Sequence, residues 1–327
     1  MTDSILSTDD QSPDVSVVVV NYNTGHLLQP MFSALDAARG DLHIQVIVVD
    51  NASRDDSLEI LRSEFPTVEV IDNSVNVGFG RANNQAIVQA RGRYVLLLNT
   101  DAFVSPDTLA KSVNFMEDNA KCGVLGVKLV GADGSLQCSC RYFPTPWNLF
   151  LARTNLNRLF PNTRLVDDMS WDHASTRECD WVPGCYYLIR REVLGKIGLF
   201  DPRYFLYYEE VDHCRAVRAA GWTVVYYPFT QVVHIGGESA KTEGPLTKHA
   251  KQISDLQIES ELLYLRKHYG VVGILSSVFL TIFAGALSSL KELLRSFDLV
   301  RASAAMKHIY KVLKLLVETK LASRATH

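Results

Sequence analysis

The chain has 327 residues, of which 47% are hydrophobic and 21% are charged. This composition is ordinary for a globular protein, and the length allows one large domain or two smaller ones. The net charge of −3 gives no overall basic field, which argues against a protein that binds nucleic acid through its phosphates.

The cysteines and the N-terminus both favour a cytosolic protein. The six cysteines show neither a CxxC pair nor the spacing of a metal finger, so we expect free thiols in a reducing setting. Met1–Pro13 is acidic and polar, without the basic start and apolar run of a signal peptide. We expect this segment to be a disordered N-terminus.

Strand-like and helix-like segments alternate over the first hundred residues. Apolar runs typical of buried parallel strands occur at Val15–Val20, Ile44–Val49, Val68–Ile71 and Tyr94–Leu98. Helices are predicted after the polar loops between them, and Pro106 starts a further helix. Repeated strand–helix units predict an α/β fold with a mainly parallel, Rossmann-like sheet flanked by helices, in which ligands bind at the carboxyl ends of the strands.

The second half of the chain is less regular. Gly131–Asp180 has weak periodicity and many aromatic residues and prolines, so we expect an irregular insertion there. A strand is predicted at Trp181–Arg190 and a helix at Glu209–Ala220. Thr223–Tyr227 and Gln231–His234 are predicted to be two short final strands.

The C-terminal region differs in character from the rest. Lys248–His268 is predicted to be an amphipathic helix, Val271–Leu290 has twenty residues without a charge, and Ala302–Lys320 is predicted to be a basic amphipathic helix. From Lys291 onward the net charge is +5, against −8 for the remainder. A helical hairpin in the bilayer interface is favoured, while a true membrane span and a helix buried in an oligomer interface stay open.

Two common nucleotide-binding signatures, GxGxxG after the first strand and GxxxxGK[ST], are absent from the sequence. A bound nucleotide would therefore need side chains to hold its base and a metal to hold its phosphates. Asp50 ends the second strand and can accept hydrogen bonds from a base or a ribose. It can also form a turn or cap a helix, although Asn51 and Ser53 are the more natural caps.

Polar segments also follow the third and fourth strands. The Asn76–Gly80 loop opens a helix whose free N–H groups can bind an anion, unless the loop is simply a tight turn. Asp101 lies at the tip of a buried strand, where an oxygen ligand suits Mg²⁺ or Mn²⁺. A capping role for Asp101 is less favoured, because the next helix begins only near Pro106.

Three acids lie close together in the second half. Glu209, Glu210 and Asp212 follow an aromatic run at Tyr204–Tyr208. Acids at a helix start stabilise the helix dipole, but clustered carboxylates in an apolar setting also raise one another's pKa, as a general base requires. His234 ends a short strand, and both a structural role and a metal-ligand role stay open for it.

Taken together, these segments resemble the inverting glycosyltransferases of family two, with the glycosyltransferase A fold. The resemblance runs from about Val15 to Ser239 and is carried by Val17–Asn23, Val48–Ser53, Asn76–Asn84, Leu97–Asp101, Asp180–Gly184 and Phe200–Asp212. Each segment is weak evidence alone, whereas their ordered set is specific. The branch that it resembles contains bacterial rhamnosyltransferase-like enzymes of cell-envelope glycan assembly.

The resemblance implies a role for each matching position. The nucleotide-sugar donor would be bound by Asn21, Asn23, Asp50, Asn51, Ser53, Asn76, Gly78, Phe79, Arg81, Asn83 and Asn99. Asp101 matches the last acid of a DxD metal motif whose first acid is here Asn99, and His234 matches a second metal ligand for Mg²⁺ or Mn²⁺. Glu210 matches the catalytic base, with Glu209 as its rival and Asp212 nearby. The acceptor would be bordered by Asp180, Trp181 and Gly184.

The expected function is transfer of a sugar to a lipid-linked or polysaccharide acceptor at the cytoplasmic face of the inner membrane. The resemblance favours dTDP-rhamnose as donor, with a UDP-hexose or UDP-N-acetylhexosamine next. A nucleotidyltransferase and an inactive nucleotide-sugar-binding scaffold are the alternatives, and Asn99 in place of an acid keeps the second open.

We expect a catalytic domain at 14–243, with a donor half at 14–128 and an acceptor half at 129–243, a membrane-associated region at 244–327, and a homo-oligomer as one option.

Overall fold

The computed structural model describes residues 12–237, 255–296 and 299–326. The predicted disordered segment Met1–Pro13 lies almost entirely outside the described residues. The same is true of the predicted domain boundary at 243/244 and of the start of the predicted Lys248–His268 helix.

The first half of the chain alternates strands and helices as predicted. The elements are β1 (Val15–Asn21), α1 (Gly25–Arg39), β2 (Ile44–Asp50), α2 (Ser57–Glu64), β3 (Glu69–Asp72), α3 (Phe79–Ile87), β4 (Tyr94–Asn99), β5 (Ala102–Val104), α4 (Thr108–Asp118) and β6 (Cys122–Val130). All four predicted strands are confirmed, but β5 and β6 were not predicted. The glycines of β6 weaken its strand pattern, and Gly126 is needed because an added Cβ would lie 2.6 Å from Val182 Cβ.

The second half contains more regular structure than its sequence predicts. Its elements are β7 (Leu136–Gln137), α5 (Pro146–Thr154), a 3₁₀ turn (Leu156–Leu159), β8 (Arg177–Glu178), β9 (Tyr186–Arg190), α6 (Arg191–Ile197), α7 (Glu209–Ala219) and β10 (Thr223–His234). Helix α5 interrupts the segment predicted to be irregular, and Thr145 caps it by accepting a hydrogen bond from Asn148 N. The two predicted final strands are one strand, β10, with a register shift between Tyr227 and Gln231.

The strands form one mixed sheet in the order β3-β2-β1-β4-β9-β6-β10-β5. Strands β3, β2, β1 and β4 are parallel, as are β6 and β10, whereas β9 runs antiparallel to its neighbours β4 and β6. The register pairs Asn21 with Asp50 and Val20 with Asn99. The polar residues that end β1, β2 and β4 therefore lie at one edge of the sheet.

Contacts between residues divide the chain into two compact units. Among the described residues, the first comprises 12–141, 169–202 and 209–237 and contains the sheet, with a core of aliphatic side chains such as Val17, Val48 and Leu96. The predicted division into donor half, acceptor half and C-terminal region stays a prediction.

The second unit comprises, of the described residues, 142–168, 203–208, 255–296 and 299–326, and is built from α5, α8 (Asp255–Ser296) and α9 (Leu299–Glu318). Helix α8 is interrupted at Gly270, whose φ of 66° is non-helical. Its part Asp255–Lys291 is long and apolar enough to cross a membrane, with a mean hydropathy of 2.2 over 18 residues, although 39% of that window is buried within the protein.

Candidate active site

A hydrogen-bonded network fixes Asp50 where β2 ends. Asn21 Nδ2 donates to Asp50 Oδ1 at 2.8 Å and to Ser53 Oγ at 3.0 Å, and Ser53 N donates to Asp50 Oδ2 at 2.9 Å. The hydroxyl of Thr24 completes the network by donating to Asn21 Oδ1 at 2.7 Å. Asp50 is fully buried, so these contacts hold its carboxylate in one orientation.

The amides of Asn51 and Asn76 hold the loop that enters α3. Asn51 Nδ2 donates to Asn76 Oδ1 at 2.8 Å, and Asn51 Oδ1 accepts from Val77 N at 3.0 Å. Asn76 Oδ1 also accepts from Gly78 N at 2.9 Å. Gly78 has a φ of 88°, a conformation that favours glycine, and Phe79 starts the helix immediately after it. Both amides thus shape this loop from within the protein.

A cleft of about 410 Å³ opens beside this network. It is lined by Tyr22, Asp50, Ala52, Ser53, Arg54, Asp72, Asn73, Ser74, Val75 and Asn76. Its volume is within the range of about 300–1,000 Å³ that small-molecule sites occupy. Sequence analysis missed Tyr22 and Arg54, although an aromatic ring and a guanidinium in loops beside strand ends suit a base and a phosphate.

The remaining residues predicted to bind the nucleotide are held by local contacts. Asn23 N donates to Ser53 Oγ at 2.9 Å, and Asn23 Oδ1 accepts from Arg54 N at 2.7 Å. Arg81 Nε donates to the carbonyl of Pro202 at 2.9 Å. Asn83 Nδ2 donates to Phe79 O at 2.9 Å, while its buried Oδ1 has no hydrogen-bond partner among the described residues.

Asp101 and His234 lie together although 133 positions separate them in sequence. His234 Nε2 is 3.5 Å from Asp101 Oδ1, and His234 Nδ1 is 3.0 Å from Gln137 Oε1. The burial of His234 opposes its charged form, but the neighbouring Cys185 and Asp101 outweigh burial and raise its pKa to about 11. The two side chains can form an ion pair when His234 is protonated, and Gln137 orients the ring through its other nitrogen.

These residues suit a cation that is shared with a phosphate ligand. Asn99 Oδ1 is buried and has no hydrogen-bond partner among the described residues, two positions from Asp101. No group of three or more His, Cys, Asp or Glu side chains able to hold a metal occurs within the described ranges. Mg²⁺ commonly binds one or two carboxylates and completes its shell with water and substrate phosphates. The donor set of Asp101, His234 and Asn99 is consistent with that kind of site.

The three predicted catalytic acids lie in the first turn of α7. Glu209 and Asp212 are buried, whereas Glu210 is partly exposed. A Cβ added to Gly184 would lie 3.7 Å from Phe79 Cε1 and 4.0 Å from Glu210 Cβ, so these three residues converge. Burial raises the pKa of Glu210 against the opposing effects of backbone hydrogen bonds and Arg141. A raised pKa makes this carboxylate a stronger base.

Arg141, which was not predicted from the sequence, lies beside the predicted acceptor residue Trp181, and its charge opposes the rise that burial causes in the pKa of Glu210. Its backbone N donates to Trp181 O at 3.2 Å, and its guanidinium carbon lies 4.8 Å from the centroid of the Trp181 ring. Asp180 Oδ1 is 3.8 Å from Arg218 Nε. Two cations therefore border the loop that contains Asp180, Trp181 and Gly184.

The chain enters α7 through a strained conformation. Tyr207 and Tyr208 have φ values of 69° and 70°, in the left-handed region that non-glycine residues rarely adopt. Glu209 and Glu210 follow at once. Strained backbone of this kind persists where surrounding structure over-determines it, and it occurs often at functional sites.

His213 on α7 makes the stability of the first unit depend on pH. Its Nδ1 lies 2.8 Å from the Tyr187 hydroxyl and its Nε2 3.1 Å from Gly198 O, and burial lowers its pKa from 6.5 to about 4. The unfolded chain binds this proton below pH 6.5 and the folded chain does not until about pH 4. We therefore expect the free energy of unfolding to fall by about 2 kcal/mol between pH 7.5 and pH 5, measured by urea denaturation.

The matched control for this expectation is His213→Gln, which cannot titrate. Its unfolding free energy at pH 7.5 should be lower than that of the wild type, because one ring contact is lost. The difference between the two proteins should shrink by about 2 kcal/mol at pH 5. Parallel pH profiles for the two proteins would assign the acid sensitivity to other groups.

The sequence is similar to known glycosyltransferases. The family described as Glycosyl transferase family 2 matches residues 16–175. An N-acetylglucosaminyl-diphospho-decaprenol L-rhamnosyltransferase of Mycobacterium tuberculosis is 27% identical over 243 residues, covering 67% of this chain and 75% of the relative. The rhamnosyltransferase WbbL of Escherichia coli is 24% identical, over 67% of this chain and 83% of the relative.

Solved structures resemble the chain in fold. A mannosyltransferase of Pyrobaculum calidifontis, solved with GDP-Man and Mn²⁺, superposes with a TM-score of 0.52 at 16% identity, covering 97% of this chain and 86% of that one. The transferase GalNAc-T7, solved with UDP, GalNAc and Mn²⁺, has a TM-score of 0.54 at 15% identity, covering 95% and 57%. The predicted fold class, a mainly parallel sheet flanked by helices, is confirmed.

Proposed function

Because this chain belongs to glycosyltransferase family 2, we propose that it moves a sugar from a nucleoside diphosphate to a hydroxyl group of a glycan or lipid-linked acceptor, with inversion at the anomeric carbon. One observation carries the proposal. At one edge of the sheet, the cleft beside Asp50, the Asp101–His234 pair and the convergence of Glu210 with Gly184 supply a donor pocket, a phosphate-side cation site and a base.

The donor nucleotide binds in the cleft beside β2. The fixed Asp50 carboxylate accepts hydrogen bonds from the base or the ribose, and Tyr22 offers a ring against the base. Asn21, Asn51, Ser53 and Asn76 act mainly by holding Asp50 and the α3 loop, because their side chains bond to protein groups. Arg54, which lines the same cleft, adds a positive charge for the diphosphate.

Asp101 and His234, with Asn99 Oδ1, would hold a divalent cation such as Mg²⁺ or Mn²⁺. The cation supplies charge neutralisation for the diphosphate leaving group. His234 must lose its proton to act as a ligand, and Gln137 then fixes the orientation of the ring. Two structural neighbours were solved with Mn²⁺, which supports the use of a divalent cation here.

Glu210 performs the proton transfer. Its carboxylate accepts the proton of the acceptor hydroxyl while the hydroxyl oxygen forms its bond to the anomeric carbon. The bond from that carbon to the diphosphate oxygen breaks, and its electron pair leaves with the diphosphate. Gly184 leaves room beside Glu210, while Trp181 and Asp180 border the acceptor.

The finer identity of the substrates follows the relatives. Two of them transfer rhamnose, as their names state, which supports dTDP-rhamnose as donor ahead of a UDP-hexose. The diphospho-decaprenol acceptor in one name supports a lipid-linked acceptor.

Calorimetric titration with dTDP, UDP and GDP, with and without Mn²⁺, tests the donor site without knowledge of the acceptor. We expect one nucleotide to bind, and to bind more tightly with Mn²⁺. A folded protein that binds none of the three would contradict the proposal and favour the inactive scaffold. Release of pyrophosphate from a nucleoside triphosphate and a sugar phosphate would instead identify a nucleotidyltransferase.

A further inference from the structure

Beyond Gly270, helix α8 buries its more polar side and exposes its most apolar side. The buried side contains Ile274, Ser277, Val278, Thr281 and Ala284, each 9% exposed or less. The exposed side, here called the α8 stripe, consists of Val272, Leu275, Phe279, Ile282, Phe283, Leu287, Leu290 and Leu294. These residues recur every three or four positions and so share one face. A helix that faces water has the opposite arrangement.

Helix α9 repeats this pattern beside a row of lysines. Its buried side is Ile309, Val312, Leu315 and Leu316, while Met306, Tyr310, Leu313 and Val317 are exposed and form the α9 stripe. Lys307, Lys311 and Lys314 are also exposed, and helical spacing places them along one flank of this stripe. An apolar stripe with a cationic flank is typical of helices that lie in the interface of an anionic bilayer.

The contacts of α8 within the second unit argue against a membrane span. Arg153 of α5 donates from Nη1 to Thr281 Oγ1 at 2.9 Å, halfway along the uncharged segment, and from Nη2 to Glu261 at 2.7 Å. A span would place this ion pair and the rest of α5 inside the hydrocarbon. One turn further along the same side, α8 is packed against α9, because a Cβ added to Gly285 would lie 2.5 Å from Ile309 Cδ1.

A second copy of the chain fits the exposed stripes less well. In a two-fold contact the same surface patch meets itself. Joining two α9 stripes in that way would bring the lysine flanks of both copies close together. The acids beside them, Asp255 and Glu318, already pair with Lys311 and Lys314 of the same copy. Anionic headgroups instead offer the complementary charge.

From these observations we infer that α8 and α9 dock in the plane of an anionic lipid surface through the α8 and α9 stripes, and that α8 does not cross the bilayer. The lipid tails cover the stripes, and Lys307, Lys311 and Lys314 meet the headgroups. Membrane docking can be measured without any sugar donor. A negative result would therefore leave the proposed activity untouched.

Vesicle flotation of the full chain tests this docking. We expect the wild type to float with vesicles that contain phosphatidylglycerol, and to bind vesicles of phosphatidylcholine alone at least tenfold more weakly. Phe279→Ser with Leu290→Ser should lower the bound fraction by about tenfold or more, and Leu313→Ser with Val317→Ser should do the same. Both pairs are exposed, so the fold should survive, as circular dichroism can check.

The control variants distinguish the contribution of the lysine charges from that of the apolar stripes, and membrane docking from self-association. Phe229→Ser changes an exposed phenylalanine in the first unit and should leave flotation unchanged. Lys307→Gln with Lys314→Gln should weaken binding only to phosphatidylglycerol vesicles. If both stripe variants floated as well as the wild type, the docking would be overturned. It would also be overturned if the wild type were a dimer without detergent and the substitutions in the stripes converted it to a monomer. A cysteine can also be placed at one end of α8 and labelled by a reagent enclosed in sealed vesicles to which the protein is added from outside. Its labelling would show that α8 spans the bilayer and would overturn the inference.

Discussion

Replacing Glu210 with glutamine is expected to lower kcat by about 10²- to 10⁴-fold while the dissociation constant of the nucleoside diphosphate stays unchanged. Glutamine keeps the shape of the side chain beside Gly184 but cannot accept the proton of the acceptor hydroxyl. Release of the nucleoside diphosphate with donor and acceptor present measures kcat, and calorimetry measures binding. A variant that also lost nucleotide binding would indicate a structural role instead.

Glu209→Gln is the matched control, because it makes the same change one residue earlier in the same helical turn. The pH profile distinguishes the two acids further. Burial raises the pKa of Glu210, and only the deprotonated form can act as base, so kcat/KM should fall as the pH drops through that raised pKa. If Glu209→Gln lost this fall in kcat/KM at low pH while the kcat of Glu210→Gln stayed close to that of the wild type, Glu209 would be the base.

The first half of the fold was predictable because each strand carries its own signal. The apolar runs of β1, β2 and β4 are continuous, and the polar residue that ends each run marks the ligand edge of a parallel sheet. Asn21, Asp50 and Asn99 thus lie in neighbouring registers, as the pattern indicates. Local sequence is enough where a strand is buried on both faces.

Contacts between distant segments were not predictable in the same way. Gln137 reaches His234 across 97 positions, and Arg141 reaches Trp181 through one isolated bridge, with no periodicity to mark either pairing. Strand β6 was missed because Gly123 and Gly126 make room for Trp222 and Val182, which only the packed structure reveals. Residue type suggested which side chains do chemistry, whereas their partners are set by the fold.

The C-terminal region illustrates a related limit. Hydropathy identifies Val271–Leu290 as apolar but cannot tell which side of the helix other helices cover. The contact of Arg153 with Thr281 is what favours the in-plane helix that we infer, and Arg153 comes from a segment for which no helix was predicted. A span and an in-plane helix have the same composition, and they differ in what the polar side of the helix contacts.

Replacing Asp101 with asparagine is expected to weaken Mn²⁺-dependent binding of the nucleoside diphosphate by roughly 100-fold, or about 2.7 kcal/mol. The amide preserves the size of the side chain but removes its negative charge. This charge matters for a divalent cation because Asn99 already stands where an acid would provide a second one. Calorimetric titration with and without Mn²⁺ measures the effect. Binding in the absence of metal should change little, because the Asp50 cleft is untouched.

Asp107→Asn is the matched control for this change. Asp107 is an exposed acid whose Oδ2 lies 2.6 Å from Lys111 Nζ, outside the Asp101–His234 pair, so its loss should leave nucleotide binding within twofold of the wild type. Equal Mn²⁺ enhancement in the wild type and Asp101→Asn would exclude Asp101 as a ligand, and the cation would then have to be held elsewhere. If the wild type bound the nucleotide equally well with and without Mn²⁺, positively charged side chains would have to stabilise the leaving group instead. Arg54 is the first of these to replace, because it already lines the nucleotide cleft.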